Sequence, residues 1–251
     1  MAIEFFTRRE QKYLITKQQY EKMILHLSPH MRPDLNGQDG FYSVTSLYFD
    51  NDEGDIYYET KNKLKFRQKL RLRIYDQATL NDRAFFEIKQ KNRKVVHKRR
   101  MVLPLREAYD YLGSLGMPNV DAYQTSNQQV FKEIDSFKQL YRLKPEMIVS
   151  YDRQALHGIN DDDLRITFDM NLRCRKDDLR VENGPYGMNF IDPNLVVLEV
   201  KVTDSIPLWL TRILQKLACE NRSASKYCTS YELLHQMNLA QTYHEPVLIG
   251  G

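Results

Sequence analysis

One predicted strand near the middle of the chain carries cations on one face and aliphatic side chains on the other. Residues 69–75 read KLRLRIY, and the side chains of a strand alternate between its two faces. The same alternation of charge recurs at Arg8-Glu10-Lys12, Glu87-Lys89-Lys91, Lys98-Arg100, Arg165-Thr167-Asp169 and Glu199-Lys201. Many strands of this kind predict a barrel with a charged interior. An interior lined mostly by Lys and Arg, with a few carboxylates, suits a polyanion such as a chain of phosphates together with a metal ion.

Length and composition favour one β-rich domain. The chain has 251 residues, 42% of them hydrophobic, and its 16 Tyr and 11 Phe favour strands. A net charge of +4 is too small to indicate nucleic-acid binding. The three cysteines lack metal-ligand spacing, and no stretch is apolar enough to span a membrane. We therefore expect a cytoplasmic protein with no nucleic-acid partner, and with protein partners that the sequence does not specify.

The predicted elements give an α+β chain. Runs of alternating or apolar residues predict strands at 5–15, 42–50, 64–75, 84–91, 95–103, 147–155, 164–171 and 195–201. Thr16 followed by Gln19 has the spacing of a capping box and predicts a helix that ends at Ser28-Pro29. Because the sequence shows no repeat, linker or domain boundary, we predict a single domain over residues 1–239 and a C-terminal tail over residues 240–251.

Arg71 and Arg73 are the strongest candidates for binding phosphate. Guanidinium groups at positions i and i+2 project from the same face and can each make forked hydrogen bonds to phosphoryl oxygens. The alternative is a solvated sheet face with ordinary surface arginines. That alternative weakens as the number of strands with the same pattern rises.

Glu87-Ile88-Lys89 and Glu199-Val200-Lys201 repeat an acid-x-Lys pattern in two strands. In a basic interior, a carboxylate can ligate a hard divalent cation that bridges phosphate oxygens. The alternative is cross-strand ion pairing, which for Glu87 is at least as good an explanation. Glu199 is the better metal candidate, because it follows an apolar run and needs a specific partner.

Two further pairs contain candidate phosphate ligands. Tyr151 and Arg153 share a strand face. Ser225 and Lys226 supply a hydroxyl and a cation beside the last predicted helix, although Ser225 could equally be the N-cap of that helix. The chain has no Gly-rich nucleotide loop and no nucleophile elbow, so other types of active site are poorly supported.

Taken together and in order, several motifs resemble the VTC domain, the polyphosphate-polymerase domain of the vacuolar transporter chaperone complex. This domain belongs to the triphosphate tunnel metalloenzyme (CYTH-like) superfamily. The resemblance covers roughly residues 5–234. It is carried by FFTRREQKYLI at 5–15, SLYFD at 46–50, KLRLR at 69–73, FEIK at 86–89, SYDR at 150–153 and LEVK at 198–201.

The resemblance implies an eight-stranded antiparallel β tunnel or barrel with a charged lumen, surrounded by helices. Arg8 stands where the superfamily's E-x-E-x-K signature has its first acid, which leaves Glu10 and Lys12. The expected catalytic residues are Arg71, Arg73, Lys89, Arg153, Arg165 and Lys226. The expected phosphate-binding residues are Lys12, Lys98, Arg100, Lys201, Tyr151 and Ser225. The expected metal ligand is Glu199, with Glu10 and Glu87 as further candidates.

The function implied by the resemblance is a metal-dependent transfer of the γ-phosphoryl group of ATP to a polyphosphate end, with Mn²⁺ or Mg²⁺ as cofactor. Phosphoryl transfer needs in-line geometry and positive charge more than a side-chain nucleophile. The first strand of this chain has fewer carboxylates than the E-x-E-x-K signature. This difference favours a protein that holds or transfers phosphate over one that hydrolyses it with two metal ions. Two alternatives stay open: a triphosphatase using the same tunnel, and a non-catalytic module that binds polyphosphate or triphosphate.

Overall fold

The computed structural model describes residues 9–93, 95–114, 119–222 and 225–242, with side chains as far as residue 237. In this part of the chain there are ten strands and six α-helices. The strands are β1 (Arg9–Thr16), β2 (Met31–Pro33), β3 (Phe41–Asp50), β4 (Phe66–Tyr75), β5 (Arg83–Asn92), β6 (Val95–Pro104), β7 (Lys144–Gly158), β8 (Arg165–Arg175), β9 (Met188–Asn189) and β10 (Leu195–Val202). The helices are α1 (Lys17–Leu27), α2 (Asp55–Lys61), α3 (Leu105–Gly113), α4 (Gln128–Leu140), α5 (Leu208–Lys216) and α6 (Lys226–Thr242).

All the strands belong to one sheet whose paired neighbours are antiparallel. Its order is β1-β10-β8-β7-β3-β4-β5-β6, while the short strands β2 and β9 pair with β7 and β8. This order confirms the predicted eight-stranded antiparallel tunnel fold, surrounded by helices; we call its main sheet the wall. Within the described residues, no backbone ladder joins the two end strands, so the wall does not close into a fully hydrogen-bonded barrel.

Other groups occupy part of each end strand's free edge. The Arg222 N–H donates to the Lys12 carbonyl of β1, at 2.9 Å. The Ser126 N–H donates to the Val102 carbonyl of β6, at 3.0 Å. These contacts satisfy edge groups that would otherwise be free to pair with another chain.

The period-two pattern sorts side chains between the two faces of the wall. On β4, Leu70, Leu72 and Ile74 are buried on the outer face. One outer core lies over β3 to β6 and includes side chains of α2, α3, α4 and α6. A second lies over β1, β8 and β10 and includes side chains of α1 and α5. Because apolar side chains face outward against helices, the charged side chains line the inner, concave face.

Helix α1 begins as the sequence predicts. The Gln19 N–H donates to Thr16 Oγ1 at 3.1 Å, and the Thr16 N–H donates to Gln19 Oε1 at 2.8 Å, which completes the capping box. The first predicted strand began at residue 5, but residues 5–8 lie outside the described part, as does Arg8 with its expected signature position. Helix α6 runs to Thr242, past the predicted start of the tail, and residues 243–251 are also outside the described part. The limits of the domain and the tail therefore stay predictions.

Candidate functional site

The strand register places the predicted site residues that lie in strands on one face of the wall. Arg71 lies opposite both Tyr48 and Glu87, and Lys12 lies opposite Glu199. We call this inner face the lumen. Its charged and polar residues include Glu10, Lys12, Ser46, Tyr48, Lys69, Arg71, Arg73, Glu87, Lys89, Lys98, Arg100, Tyr151, Arg153, Arg165, Thr167, Asp169, Glu199 and Lys201. Among these residues the cations clearly outnumber the carboxylates.

Glu87 is a buried carboxylate with four cations around it. Arg71 Nε and Arg100 Nε each donate to it at 2.7 Å, and Lys98 Nζ lies 2.5 Å from its Oε1. Arg73 is more distant, at 3.8 Å. Burial alone would raise the pKa of Glu87, but these cations, led by Arg71, lower it well below its usual range. The geometry therefore favours the ion-pair alternative for Glu87 over metal binding.

Glu199 contacts one lysine from each of three elements, β1, β10 and α6. Its Oε1 accepts hydrogen bonds from Lys12 Nζ and Lys226 Nζ, both at 2.9 Å, and Lys201 Nζ lies 3.4 Å from Oε2. Burial opposes the charge, but the lysines lower the pKa of Glu199 well below its usual range. Lys12 Nζ also lies 3.0 Å from Glu10 Oε1. The carboxylates of Glu10 and Glu199 thus converge on one ammonium group.

Asp169 is a lumen carboxylate that the prediction of site residues missed. It is fully buried, and Arg153 donates to both of its oxygens, at 2.7 and 2.9 Å. Lys226 Nζ lies 2.6 Å from Oδ2, so this ammonium group sits between Asp169 and Glu199. The signal was available in the sequence, because Asp169 alternates with Arg165 and Thr167 on one strand face.

Polar residues of β3 orient the two arginines of β4. Arg73 donates to Ser46 Oγ at 3.0 Å and to Tyr151 Oη at 3.2 Å. Arg71 NH1 donates to Tyr48 Oη at 3.2 Å. Burial would raise the pKa of Tyr48, but Arg71 and Arg73 lower it to about 8. Ser46 and Tyr48 were not predicted as site residues, although their alternation in SLYFD places them on the same face.

Arg165 lies toward the end of the lumen away from α6. Its NH2 group donates to Asp34 Oδ2 at 2.8 Å and to Tyr42 Oη at 3.1 Å. His157 Nε2 lies 3.3 Å from the same Asp34 oxygen. Asp34 comes from the segment after β2, and no sequence pattern connects it with β8. This contact could not have been predicted from strand periodicity.

The first turn of α6 packs against lumen residues of β3, β4, β8 and β10. Ser225 Oγ accepts a hydrogen bond from Lys69 Nζ at 2.8 Å and from the Cys228 N–H at 3.3 Å, so it both caps the helix and touches a lumen cation. Tyr227 donates to the buried Asp50 carboxylate at 2.5 Å, and its ring stacks on that of Tyr48 at 5.2 Å. These contacts fix α6 so that its Lys226 points into the lumen.

Three lumen lysines have weakened basicity. Burial lowers the pKa of Lys69 and of Lys201 to about 8 and that of Lys98 to about 7, although neighbouring carboxylate, tyrosine or thiol groups favour their charge. The side chains of Lys89 and Lys98 nevertheless keep contact with solvent, at 42% and 43% of their surface. The lumen is therefore buried around Glu199 and open to solvent along β5 and β6.

The oxygen donors near Glu199 meet some of the requirements of a site for a divalent cation. Within the described residues, no group of three or more His, Cys, Asp or Glu side chains is arranged to hold a metal ion. However, Glu10 and Glu199 face a common point at the Lys12 ammonium group. Thr167, which lies directly opposite Glu199, has a buried hydroxyl with no hydrogen-bond partner. Two carboxylates, a hydroxyl and incoming phosphate oxygens are the hard donors that Mg²⁺ and Mn²⁺ bind.

Comparisons with known proteins agree with the sequence motifs. The family model of the VTC domain matches residues 7–235. Subunit 4 of the vacuolar transporter chaperone complex from Trypanosoma cruzi is 25% identical over 211 residues, covering 69% of this chain and 26% of that protein. The corresponding subunit from Schizosaccharomyces pombe is 24% identical over 194 residues, covering 69% and 27%. The chain thus spans about a quarter of the length of these relatives.

A solved structure with the same fold is that of a putative adenylyl cyclase from Hippeastrum, described as having a dominant triphosphatase activity. It superposes with a TM-score of 0.54 and 16% identity, covering 89% of this chain and 94% of that chain. At this identity the similarity concerns the fold alone. In the described part of the chain, no helix has the length and apolar character to cross a membrane. The lumen, the order of its motifs and the family match together place this chain in the VTC domain family.

Proposed function

We propose that this protein is a polyphosphate polymerase that transfers the γ-phosphoryl group of ATP to a polyphosphate end. The observation that carries the proposal is the lumen itself, a partly buried face on which cations outnumber carboxylates. Cations held close together on a shielded face repel one another, and a bound polyanion would relieve that repulsion. Family membership supports the same substrate class. ATP as the donor and a cytoplasmic location, in keeping with three free cysteines, are parts of this proposal.

The lumen can bind and orient the reacting phosphates through its arginines. Arg71, Arg73 and Arg153 are held by Tyr48, Ser46 and Asp169, so little side-chain entropy is lost when phosphate oxygens reach them. Positive charge fixed around the equatorial oxygens would stabilise the transition state of an in-line transfer. In this proposal Lys89, Arg165 and Lys226 complete the charge around the transferred group. Lys12, Lys98, Arg100, Lys201, Tyr151 and Ser225 hold the remaining phosphates.

In the proposal, Glu199 and Glu10 hold the divalent cation, with the Thr167 hydroxyl as a third donor. A bound Mn²⁺ or Mg²⁺ would neutralise charge on the triphosphate oxygens. The lysines that contact Glu199 in the free protein would then turn to the phosphates. Glu87 has no metal role in this proposal, because four cations surround it.

The first test is calorimetric binding of inorganic tripolyphosphate at low and high salt. We expect the affinity to fall steeply with added salt, because several charge-assisted contacts to one polyanion are screened together. Affinity that does not respond to salt would show that the cationic lumen is not the binding site.

Binding of tripolyphosphate should also weaken as pH rises above about 7. In the free protein Lys98 has a pKa of about 7, Lys69 and Lys201 have pKa values of about 8, and the bound anion favours the protonated form of each. Affinity is then highest below these pKa values and is lost as pH rises through them, by roughly tenfold per lysine for each unit above. The measurement is a titration series across this pH range. Lys201→Arg, which stays charged, should flatten the profile, and an equally steep profile in this variant would remove Lys201 from the explanation.

A further inference from the structure

A second group of cations lies outside the lumen, at the end of β4 and β5 nearest to α6. We call Lys65, Arg67, Lys91 and Arg93 the basic rim. Lys91 follows Lys89 by two residues on β5, so the lumen face of this strand continues directly into the rim. Lys65 and Arg93 are exposed, and Arg67 and Lys91 are half-buried. The rim is therefore a continuation of the lumen onto the surface.

The loops that carry the rim are held together by the backbone. The Arg93 N–H donates to the Lys65 carbonyl at 2.6 Å, which ties the β5–β6 turn to the segment before β4. Arg67 NH1 donates to the Leu64 carbonyl at 2.7 Å. Cations from two separate parts of the sequence thus form one surface.

Like charges face each other across this end of the sheet. Arg67 lies directly opposite Lys91, and Lys69 lies directly opposite Lys89. Like charges in directly opposed strand positions are destabilising. Burial, Arg67 and Lys89 together lower the pKa of Lys91, although the Glu10 carboxylate favours its charge.

The rim lacks the carboxylates that balance charge in the lumen. Lumen cations share Glu10, Glu87, Asp169 and Glu199. None of the four rim cations forms an ion pair with a carboxylate in the described part of the chain. An ordinary solvated face would usually mix both signs of charge, so this row of unbalanced cations points to an anionic ligand.

We propose that the basic rim is a second binding site for a linear polyphosphate, which it holds where the chain leaves the lumen. The inference rests on the proposed function, since it takes polyphosphate as the ligand of the lumen. Continuity through Lys89 favours a chain that already occupies the lumen over a separate acidic protein. A short triphosphate fills only the lumen, whereas a long chain reaches both sites. The rim therefore contributes affinity that depends on chain length.

The test compares inorganic tripolyphosphate with long-chain polyphosphate as ligands of the variant Lys91→Gln with Arg93→Gln. The matched control is Lys17→Gln with Lys22→Gln, which removes the same charge from the exposed face of α1. We expect the rim variant to bind the long chain roughly five- to tenfold more weakly and tripolyphosphate within about twofold of the wild type. The control should bind both as the wild type does.

Unchanged long-chain affinity in the rim variant, or an equal loss for both ligands, would overturn the proposal. Lys65→Gln with Arg67→Gln is a second variant on the facing strand and should give the same length-dependent loss. Melting temperatures of all variants check that folding is preserved. Failure of the wild type to bind tripolyphosphate would contradict the proposed function. A rim-dependent loss of long-chain binding in that case would still support the rim as an anion site.

Discussion

Glu199→Gln is expected to lower metal-dependent turnover by about a hundredfold or more while leaving affinity for tripolyphosphate intact or increased. Loss of a carboxylate removes a hard oxygen ligand, and changes even to groups that support metal ligands cost about 10- to 100-fold. The same change makes the lumen more positive, so a polyanion is attracted at least as strongly. The substitution also removes a buried carboxylate that both Lys12 and Lys226 contact. The free protein should therefore lose about 3 kcal/mol of stability, which saturating tripolyphosphate restores.

The matched control is Glu133→Gln, which removes a carboxylate paired with Arg99 on the outer face. Turnover with ATP and Mn²⁺, affinity for tripolyphosphate and denaturant unfolding are measured for both variants. Normal turnover in Glu199→Gln would mean that this carboxylate only neutralises neighbouring lysines and that the metal assignment is wrong.

Arg71→Ala is expected to have the opposite effect, with a direct loss of tripolyphosphate binding. A charge-assisted hydrogen bond to phosphate contributes about 1.5–3 kcal/mol, which corresponds to a loss of affinity of roughly 10- to 150-fold. Glu87 keeps Arg100 and Lys98 as partners after this change, so no buried carboxylate is left unpaired. The loss of binding is therefore expected without a large loss of stability.

Arg99→Ala is the control for this prediction, because Arg99 pairs with Glu133 on the other face of the wall. Calorimetric titration with tripolyphosphate should give wild-type affinity for Arg99→Ala and weakened binding for Arg71→Ala. Equal affinities in the two variants would show that the lumen face of β4 does not contact the ligand.

Strand periodicity was enough to predict the wall of the site. A side-chain period of two decides which residues share a face, and a buried outer face fixes the register. For this reason Arg71 and Arg73 could be placed on the same face as Glu87 without a structure. The same reasoning, applied more fully, would have included Tyr48 and Asp169. The functional roles of all these residues stay predictions.

Contacts between distant segments could not be predicted in this way. Tyr227 reaches Asp50 across 177 positions of the sequence, and no local pattern marks either residue as a partner of the other. Asp34 reaches Arg165 across 131 positions from the segment after β2. The open edge between β1 and β6 also depends on segments that approach it from elsewhere in the chain. Such contacts follow from the packing of the whole fold.

Product analysis of the purified protein with ATP and Mn²⁺ tests the central claim most directly. A polyphosphate gel and an ADP assay are run on the same samples, with Glu199→Gln as the inactive reference. The proposed function predicts chains that lengthen with time and ADP that appears in proportion to the phosphate incorporated. Release of orthophosphate without chain growth would identify a triphosphatase and contradict the polymerase, and binding of polyphosphate with no turnover would contradict an enzyme.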